Sequence, residues 1–291
     1  MKKTALIAIF LTFFCFVNLA WGEIDVQEIT KLANNGDLES QFFLGTMYAH
    51  GIDVPQNYVE AIWWYMMAAD QGHADAQLNL GNIYFQGKGV PQNYAEAMKW
   101  YRKAADQGDA KAQFNLGLMY YSGEGVPKNF IEALGWFRKA AYQGDVQAQY
   151  ILGVIYDQGK GVPQNYAEAI RWYGKAADQG DASAQFNLGF MYKHGEGVPK
   201  NFIAAMKWYR KAADQGFAEA QFNLAGMYYE GEGVQQNFIK AYVWWSLALE
   251  NGYEKAKKIL AMLSPKMTAQ QVAQAQYEAD ELWKKINNSK K

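Results

Sequence analysis

A glycine recurs every 36 residues along most of this 291-residue chain. The residues around it recur as well, so that DQGDAKAQFNLG and DQGDASAQFNLG occur 72 residues apart. Self-similarity at this period is typical of repeat proteins, in which each unit buries its apolar faces against its neighbours. The periodic glycines are Gly36, Gly72, Gly108, Gly144, Gly180, Gly216 and Gly252.

Within one unit, residues 109–144, the first half has the pattern of an amphipathic helix. Asp109 is suited to cap the helix N-terminus, because its carboxylate can accept hydrogen bonds from free backbone amides. Ala112, Leu116 and Met119 follow at three- and four-residue spacing. Gly123 then favours a helix end, because glycine readily adopts the left-handed conformation.

The second half of the unit predicts another helix. Asn129 is a candidate N-cap with Glu132 three residues later, and Trp136 and Phe137 mark the apolar face. A tryptophan stripe could stack on sugars, but its regular recurrence at one helix position favours a core role. The recurring tryptophans are Trp64, Trp100, Trp136, Trp172, Trp208 and Trp244.

The first 22 residues have the pattern of a signal peptide. Lys2 and Lys3 precede an apolar run over residues 5–19, and Ala20 and Gly22 fit the positions before a cleavage site. The alternative is a retained membrane anchor, but the run is shorter than the ~20 residues that a spanning helix needs. We expect cleavage before Glu23, export and no membrane span afterwards.

The charge balance argues against nucleic acid or an anionic membrane as the main partner. The formal net charge of the whole chain is −1, and loss of Lys2 and Lys3 would make it −3. Cys15 is the one cysteine. After cleavage no disulfide could form, and the apolar core must stabilise the fold.

The motif A-x-x-A-Q-F-N-L-G-x-M-Y-x-x-G-x-G-V-P-x-N resembles the Sel-1-like repeat, a relative of the tetratricopeptide repeat. The resemblance covers residues 37–252 and implies an all-α, right-handed solenoid of antiparallel helix pairs. We expect a capping helix over 23–36, capping helices over 253–286 and a disordered tail over 287–291. The expected repeats are 37–72, 73–108, 109–144, 145–180, 181–216 and 217–252.

The same resemblance implies binding of a protein or peptide, with no cofactor. Some exported relatives are cysteine-rich proteins described as penicillin-binding or weakly β-lactamase-like, but these repeats contain no cysteine. Serine-nucleophile and zinc-protease motifs are also missing from the sequence. We therefore predict that the protein is not an enzyme, that His50, His73 and His194 are surface residues, and that no metal is bound.

The least constant positions of the first helices lie on one stripe, which tetratricopeptide analogy places on the concave face. Asparagines on it could pair with a peptide backbone, or could bridge helices within the stack; both interpretations stay open. Apolar residues break the pattern in mid-chain and are candidate anchors. The predicted ligand-binding residues are Asn79, Asn115, Leu118, Tyr121, Ile151, Val154, Asn187, Phe190 and Asn223.

The sequence thus predicts an exported, monomeric interaction scaffold, and the family resemblance implies that its compartment is the periplasm. The alternatives are a secreted factor that binds a host protein, and an enzyme-like protein that acts on the cell wall or on β-lactams.

Overall fold

The computed structural model describes residues 25–288, which contain fifteen α-helices, one short 3₁₀ helix and no strand. The chain divides into two compact units at Gln143 and Gly144. This division falls between the third and fourth repeats, so each unit holds three of them. The all-α fold of repeated helix pairs is the one that the sequence predicted. The predicted signal peptide lies outside the described residues.

The first unit contains a lone helix followed by three helix pairs. The helices are α1 (Val26–Asn34), α2 (Leu38–His50), α3 (Tyr58–Asp70), α4 (Ala74–Gln86), α5 (Tyr94–Asp106), α6 (Ala110–Ser122) and α7 (Phe130–Tyr142).

The second unit contains three helix pairs followed by C-terminal helices. These are α8 (Val146–Gln158), α9 (Tyr166–Asp178), α10 (Ala182–His194), α11 (Phe202–Asp214), α12 (Ala218–Glu230), α13 (Phe238–Glu250), α14 (Lys255–Leu263), the 3₁₀ helix Ser264–Lys266 and α15 (Ala269–Asn288). Helix α15 includes residues 287 and 288, although the sequence predicts a disordered tail there, and the buried Ile286 anchors this last turn.

The helix ends follow the sequence signals. The Asp109 carboxylate accepts from the Ala112 amide at 2.6 Å, and Gly123 ends α6 with a φ of +83°. The side-chain oxygen of Asn129 accepts from the amide of Glu132 at 3.2 Å. A cap of this kind does not require a glutamate three residues after the asparagine. Asn201 accepts from the amide of Ala204 at 3.0 Å, although alanine replaces the glutamate there.

The tryptophans and the helix glycines account for the tight packing of each pair. Five of the six repeat tryptophans are at most 5% exposed. Trp208 is half-buried instead. In the last repeat, Arg210 of the preceding repeat covers the Trp244 ring at 4.8 Å. The equivalent residue before Trp208 is Gly174, which has no side chain to cover the ring. A Cβ at Gly81 would lie 2.4 Å from the Tyr101 ring, so only glycine allows this close approach of α4 and α5.

The C-terminal helix covers the last repeat. The Thr268 amide donates to the Gln271 side chain at 2.9 Å, and the Gln271 amide donates to the Thr268 hydroxyl at 3.2 Å. This reciprocal pair is a capping box. The apolar stripe of α15 then joins the core around α13, through Val272, Ala275, Ala279, Leu282 and Ile286. No helix among residues 25–288 combines the length and the apolar character that crossing a membrane requires.

Candidate binding surface on the first helices

In the first unit, the stripe asparagines lie next to tyrosine hydroxyls of the preceding second helix. The Asn79 side chain interacts with the hydroxyl of Tyr65, which also donates to Thr46 at 3.2 Å. The Asn115 amide donates to the Asn82 oxygen at 3.4 Å, and the same oxygen accepts from the Tyr101 hydroxyl at 2.8 Å. Both stripe amides therefore have partners within the repeats.

The second unit has the same arrangement. Asn187 interacts with the hydroxyls of Tyr150 and Tyr173, and Asn223 interacts with that of Tyr209. The Tyr209 hydroxyl is buried and makes no direct hydrogen bond of good geometry. Asn223 is the polar side chain that lies beside this hydroxyl.

A relation in the sequence matches these contacts. Each of the four asparagines follows a tyrosine by fourteen residues, as Asn79 follows Tyr65. Where the earlier residue is Ile29 or Phe137, the stripe position is Phe43 or Ile151. Because the amide occurs only with the hydroxyl, the contacts favour the interpretation in which the asparagines bridge helices. Their role toward a ligand stays a prediction.

The apolar stripe residues are placed at or near the surface of their own units. In the first unit, Leu118 is 36% exposed and Tyr121 is half-buried, with its ring edge-on to Phe130 at 5.3 Å between centroids. In the second unit, Phe190 is 39% exposed and lies 4.2 Å from the His194 ring.

The other two apolar candidates, Ile151 and Val154, are half-buried on α8 of the second unit. The structure therefore groups Leu118 with Tyr121 in one unit, and Ile151, Val154 and Phe190 in the other.

The first helices have a second polar feature, which the sequence did not predict. Each first helix carries a glutamine at most 5% exposed: Gln41, Gln77, Gln113, Gln149, Gln185 and Gln221. The Gln77 amide donates to the Ala69 carbonyl at 2.9 Å, and its oxygen accepts from Gln107 at 2.7 Å. We call these glutamines and their partners the glutamine relay.

The glutamine relay adds a second donor to carbonyls at the helix ends. The carbonyls of Ala69, Ala105 and Ala177 lie in the last turns of second helices, beyond the regular helical hydrogen bonds, and each accepts from the amide of the glycine three residues later at 3.0 Å. Gln77, Gln113 and Gln185 donate to these carbonyls at 2.9–3.1 Å. The signal that could have identified this role is a polar residue recurring without change on an apolar helix face.

Burial sets the protonation behaviour of the tyrosines beside the stripe. Loss of solvation raises the pKa of Tyr101, Tyr173 and Tyr209, and the Asn223 side chain opposes the shift at Tyr209. Asp157 lies 3.4 Å from the Tyr173 hydroxyl. Its own pKa is raised by burial, while the hydrogen bond from Tyr173 lowers it.

A family model gives the identity of the repeats. The Sel1 repeat model matches six successive segments, residues 38–73, 74–109, 110–145, 146–181, 182–217 and 218–253. The chain belongs to the Sel1 repeat family. Each matched segment begins one residue later than the repeat frame used above. Proteins of this family are generally protein-interaction scaffolds and typically not enzymes.

Solved structures of Sel1 repeat proteins resemble the chain. One is c5321, a protective antigen present in uropathogenic Escherichia coli strains, with 36% identity and a TM-score of 0.83 over 92% of this chain and 57% of that chain. The present chain thus spans little more than half of that relative. Another is a Sel1 repeat protein from Oxalobacter formigenes, with 38% identity and a TM-score of 0.66 over 77% and 90% of the two chains. No curated protein matches this chain.

The histidines of this Sel1 repeat chain do not all lie on the surface as predicted. His50 and His194 are exposed, but the side chain of His73 is only 11% exposed. His73 occupies the N-cap of α4, where its Nδ1 accepts from the Ala76 amide at 3.3 Å and its ring stacks on Phe42 at 4.3 Å. The prediction was wrong there because histidine replaces the capping aspartate. Within residues 25–288, no cluster of three or more His, Cys, Asp or Glu could hold a metal ion.

Proposed function

We propose that this protein is an exported interaction scaffold that binds a protein or peptide through the variable stripe of its first helices. The observation that carries the proposal is the exposure of Leu118 and Phe190 at equivalent positions of α6 and α10. In α2 and α4 the same position holds Thr46 and Asn82, which bond to neighbouring tyrosines. Apolar side chains at this solvent-facing position suit the anchors of an interface.

Crosslinking in the native envelope, followed by purification of the protein, would identify the partner. Each unit is then tested by itself, with Tyr121→Ser or Leu118→Ser in the first unit and Phe190→Ser in the second. We expect at least one of these variants to weaken binding tenfold or more, about 1.4 kcal/mol, with an unchanged helical circular dichroism signal. Ile131→Ser and Ile203→Ser are matched controls, because both isoleucines are exposed on second helices. Unchanged affinity in all three stripe variants would refute the role of the stripe.

The proposed export is tested separately. N-terminal sequencing of the protein from periplasm and culture medium should give a chain beginning at Glu23, and we expect it in the periplasm. A cellular protein that still begins at Met1 would contradict export, and recovery from the medium would favour the secreted alternative.

A further inference from the structure

Helix α3 presents an apolar face that departs from the rest of the repeat array. Trp63, Met66 and Met67 are 45%, 39% and 37% exposed. In the next repeat the same positions are Lys99, Arg102 and Lys103, and repeats three to five have lysine, arginine or glycine there. The first repeat has therefore exchanged a basic surface for a large apolar one.

In the final repeat, apolar residues at two of these positions are covered by another helix. At the positions of Trp63 and Met67, helix α13 carries Val243 and Leu247, which are 4% and 1% exposed. They belong to the same apolar cluster as the stripe of α15. At these positions, apolar residues in the second unit are thus covered by an amphipathic helix. Within residues 25–288, the equivalent face of α3 has no such cover.

Charge indicates which helix would fit α3. Between α13 and α15, a cavity is lined by the basic Arg210 and Lys240 on the repeat side, and α15 contributes two acidic residues, Glu278 and Glu281, and one basic residue, Lys285. Helix α3 instead has Glu60 and Asp70 as its charged residues and contains no lysine or arginine. A helix docking there would need the opposite flank, a basic one, because complementary charge steers association and like charge opposes it.

We propose that the exposed face of α3 is a docking site for a basic amphipathic helix of a partner protein. Its Trp63 would serve as the anchor, since large aromatic side chains carry much of the energy of interfaces. The two methionines can adapt to the shape of an incoming apolar stripe. This site lies on a second helix, so it does not depend on the proposed function of the first-helix stripe.

The test uses the full chain and two fluorescent synthetic peptides of twenty residues. Both carry leucine at helical three- and four-residue spacing, and they differ only in lysine or glutamate flanking the stripe. Fluorescence anisotropy should show the lysine peptide binding at least tenfold more tightly than the glutamate peptide, with weaker binding at high salt. Equal affinities, or no binding of the lysine peptide at 200 μM (about the weakest useful range), would overturn the proposal.

The triple variant Trp63→Lys, Met66→Arg, Met67→Lys gives α3 the surface that already folds in α5. Its urea midpoint should therefore stay near that of the unchanged protein, while its affinity for the lysine peptide falls at least tenfold. The control Ile131→Ala removes an exposed apolar residue from α7 and should leave binding unchanged. Retained affinity in the triple variant would refute the site. Self-association of the unchanged protein that the triple variant loses would also overturn the proposal, in favour of a second copy as the occupant.

Discussion

The glutamine relay and the asparagine stripe (Asn79, Asn115, Asn187 and Asn223) lie on first helices of the repeats. The two sets differ in how constant they are from one repeat to the next. The relay glutamine occurs in all six repeats, and its partners are a main-chain carbonyl and the side-chain amide at the end of the following second helix. The stripe asparagine is replaced in two repeats, at Phe43 and Ile151. Its partner is a tyrosine hydroxyl, which Asn115 reaches through Asn82, and this tyrosine is also missing fourteen residues before those positions.

The difference shows how invariance arises in a repeat array. Every helix end has carbonyls that can accept a further hydrogen bond whatever its side chains are, so a glutamine that donates to one fits in each repeat. A hydroxyl can be removed together with its partner at little cost, because replacing both members of a hydrogen bond avoids an unsatisfied buried group. The relay glutamine is therefore constant because its partner is a backbone group, and the stripe asparagine varies because its partner is a side chain.

The largest expected effect is from breaking the glutamine relay. We expect Gln77→Ala to lower the free energy of unfolding by about 2 kcal/mol, because it removes two hydrogen bonds of a buried side chain, one to the Ala69 carbonyl and one from the Gln107 amide. Gln86→Ala is the matched control on the same helix, since Gln86 is exposed at the end of α4. It should change stability by less than about 0.5 kcal/mol. Urea denaturation measures both, and equal losses would contradict the structural role of the relay.

Alkaline pH should separate the two features, because only the asparagine stripe adjoins groups that titrate. Burial raises the folded-state pKa of Tyr101 above the value of 10 for the unfolded chain. Above pH 10 the unfolded state therefore holds fewer protons, and stability falls as pH rises. One buried tyrosine accounts for about 1.4 kcal/mol at pH 11.

Tyr101→Phe removes this contribution, so its stability should fall less between pH 8 and pH 11 than that of the unchanged protein. The control Tyr142→Phe alters an exposed tyrosine and should show the full fall. The loss caused by Gln77→Ala should be the same at both pH values. Parallel pH profiles for Tyr101→Phe and the unchanged protein would contradict the assignment.

A double-mutant cycle tests whether the asparagine serves the tyrosine. We expect Asn223→Ile to cost about 1 kcal/mol in the unchanged protein and clearly less in the Tyr209→Phe background, since the hydroxyl that needs a partner is then absent. The double change reproduces the residue pair of Phe137 and Ile151. Pairing Tyr209→Phe with Glu219→Gln, an exposed position on the same helix as Asn223, provides the additive control. Full additivity for Asn223 would refute the partnership.

The sequence alone was sufficient for the fold and insufficient for the polar contacts, for one physical reason. Helix ends, caps and apolar faces depend on neighbours within a few residues, so Asp109, Gly123 and Asn129 could be interpreted locally. The Gln77 contacts join residues 8 and 30 positions apart, and nothing local to Gln77 indicates them. His73 was misjudged similarly, because its burial depends on Phe42 of the preceding repeat. The exposed apolar residues of α3 indicate a docking site only by comparison with α13, where α15 covers the equivalent residues.

The smallest expected effect concerns Asp157, a carboxylate next to the Tyr173 hydroxyl. The stripe residues beside Tyr65, Tyr173 and Tyr209 are neutral asparagines. Burial raises the pKa of this carboxyl, so its ionisation costs more in the folded than in the unfolded state. Asp157→Asn keeps an oxygen that can accept from the Tyr173 hydroxyl and removes the charge. We expect a small increase in the urea midpoint at pH 7. This advantage should shrink as pH falls toward 3.8, where the carboxyl of the unfolded chain is also protonated. Asp280→Asn, at an exposed position of α15, is the control for loss of a charge at the surface. A lower midpoint for Asp157→Asn at pH 7 would show instead that the charged hydrogen bond to Tyr173 outweighs the cost of burial.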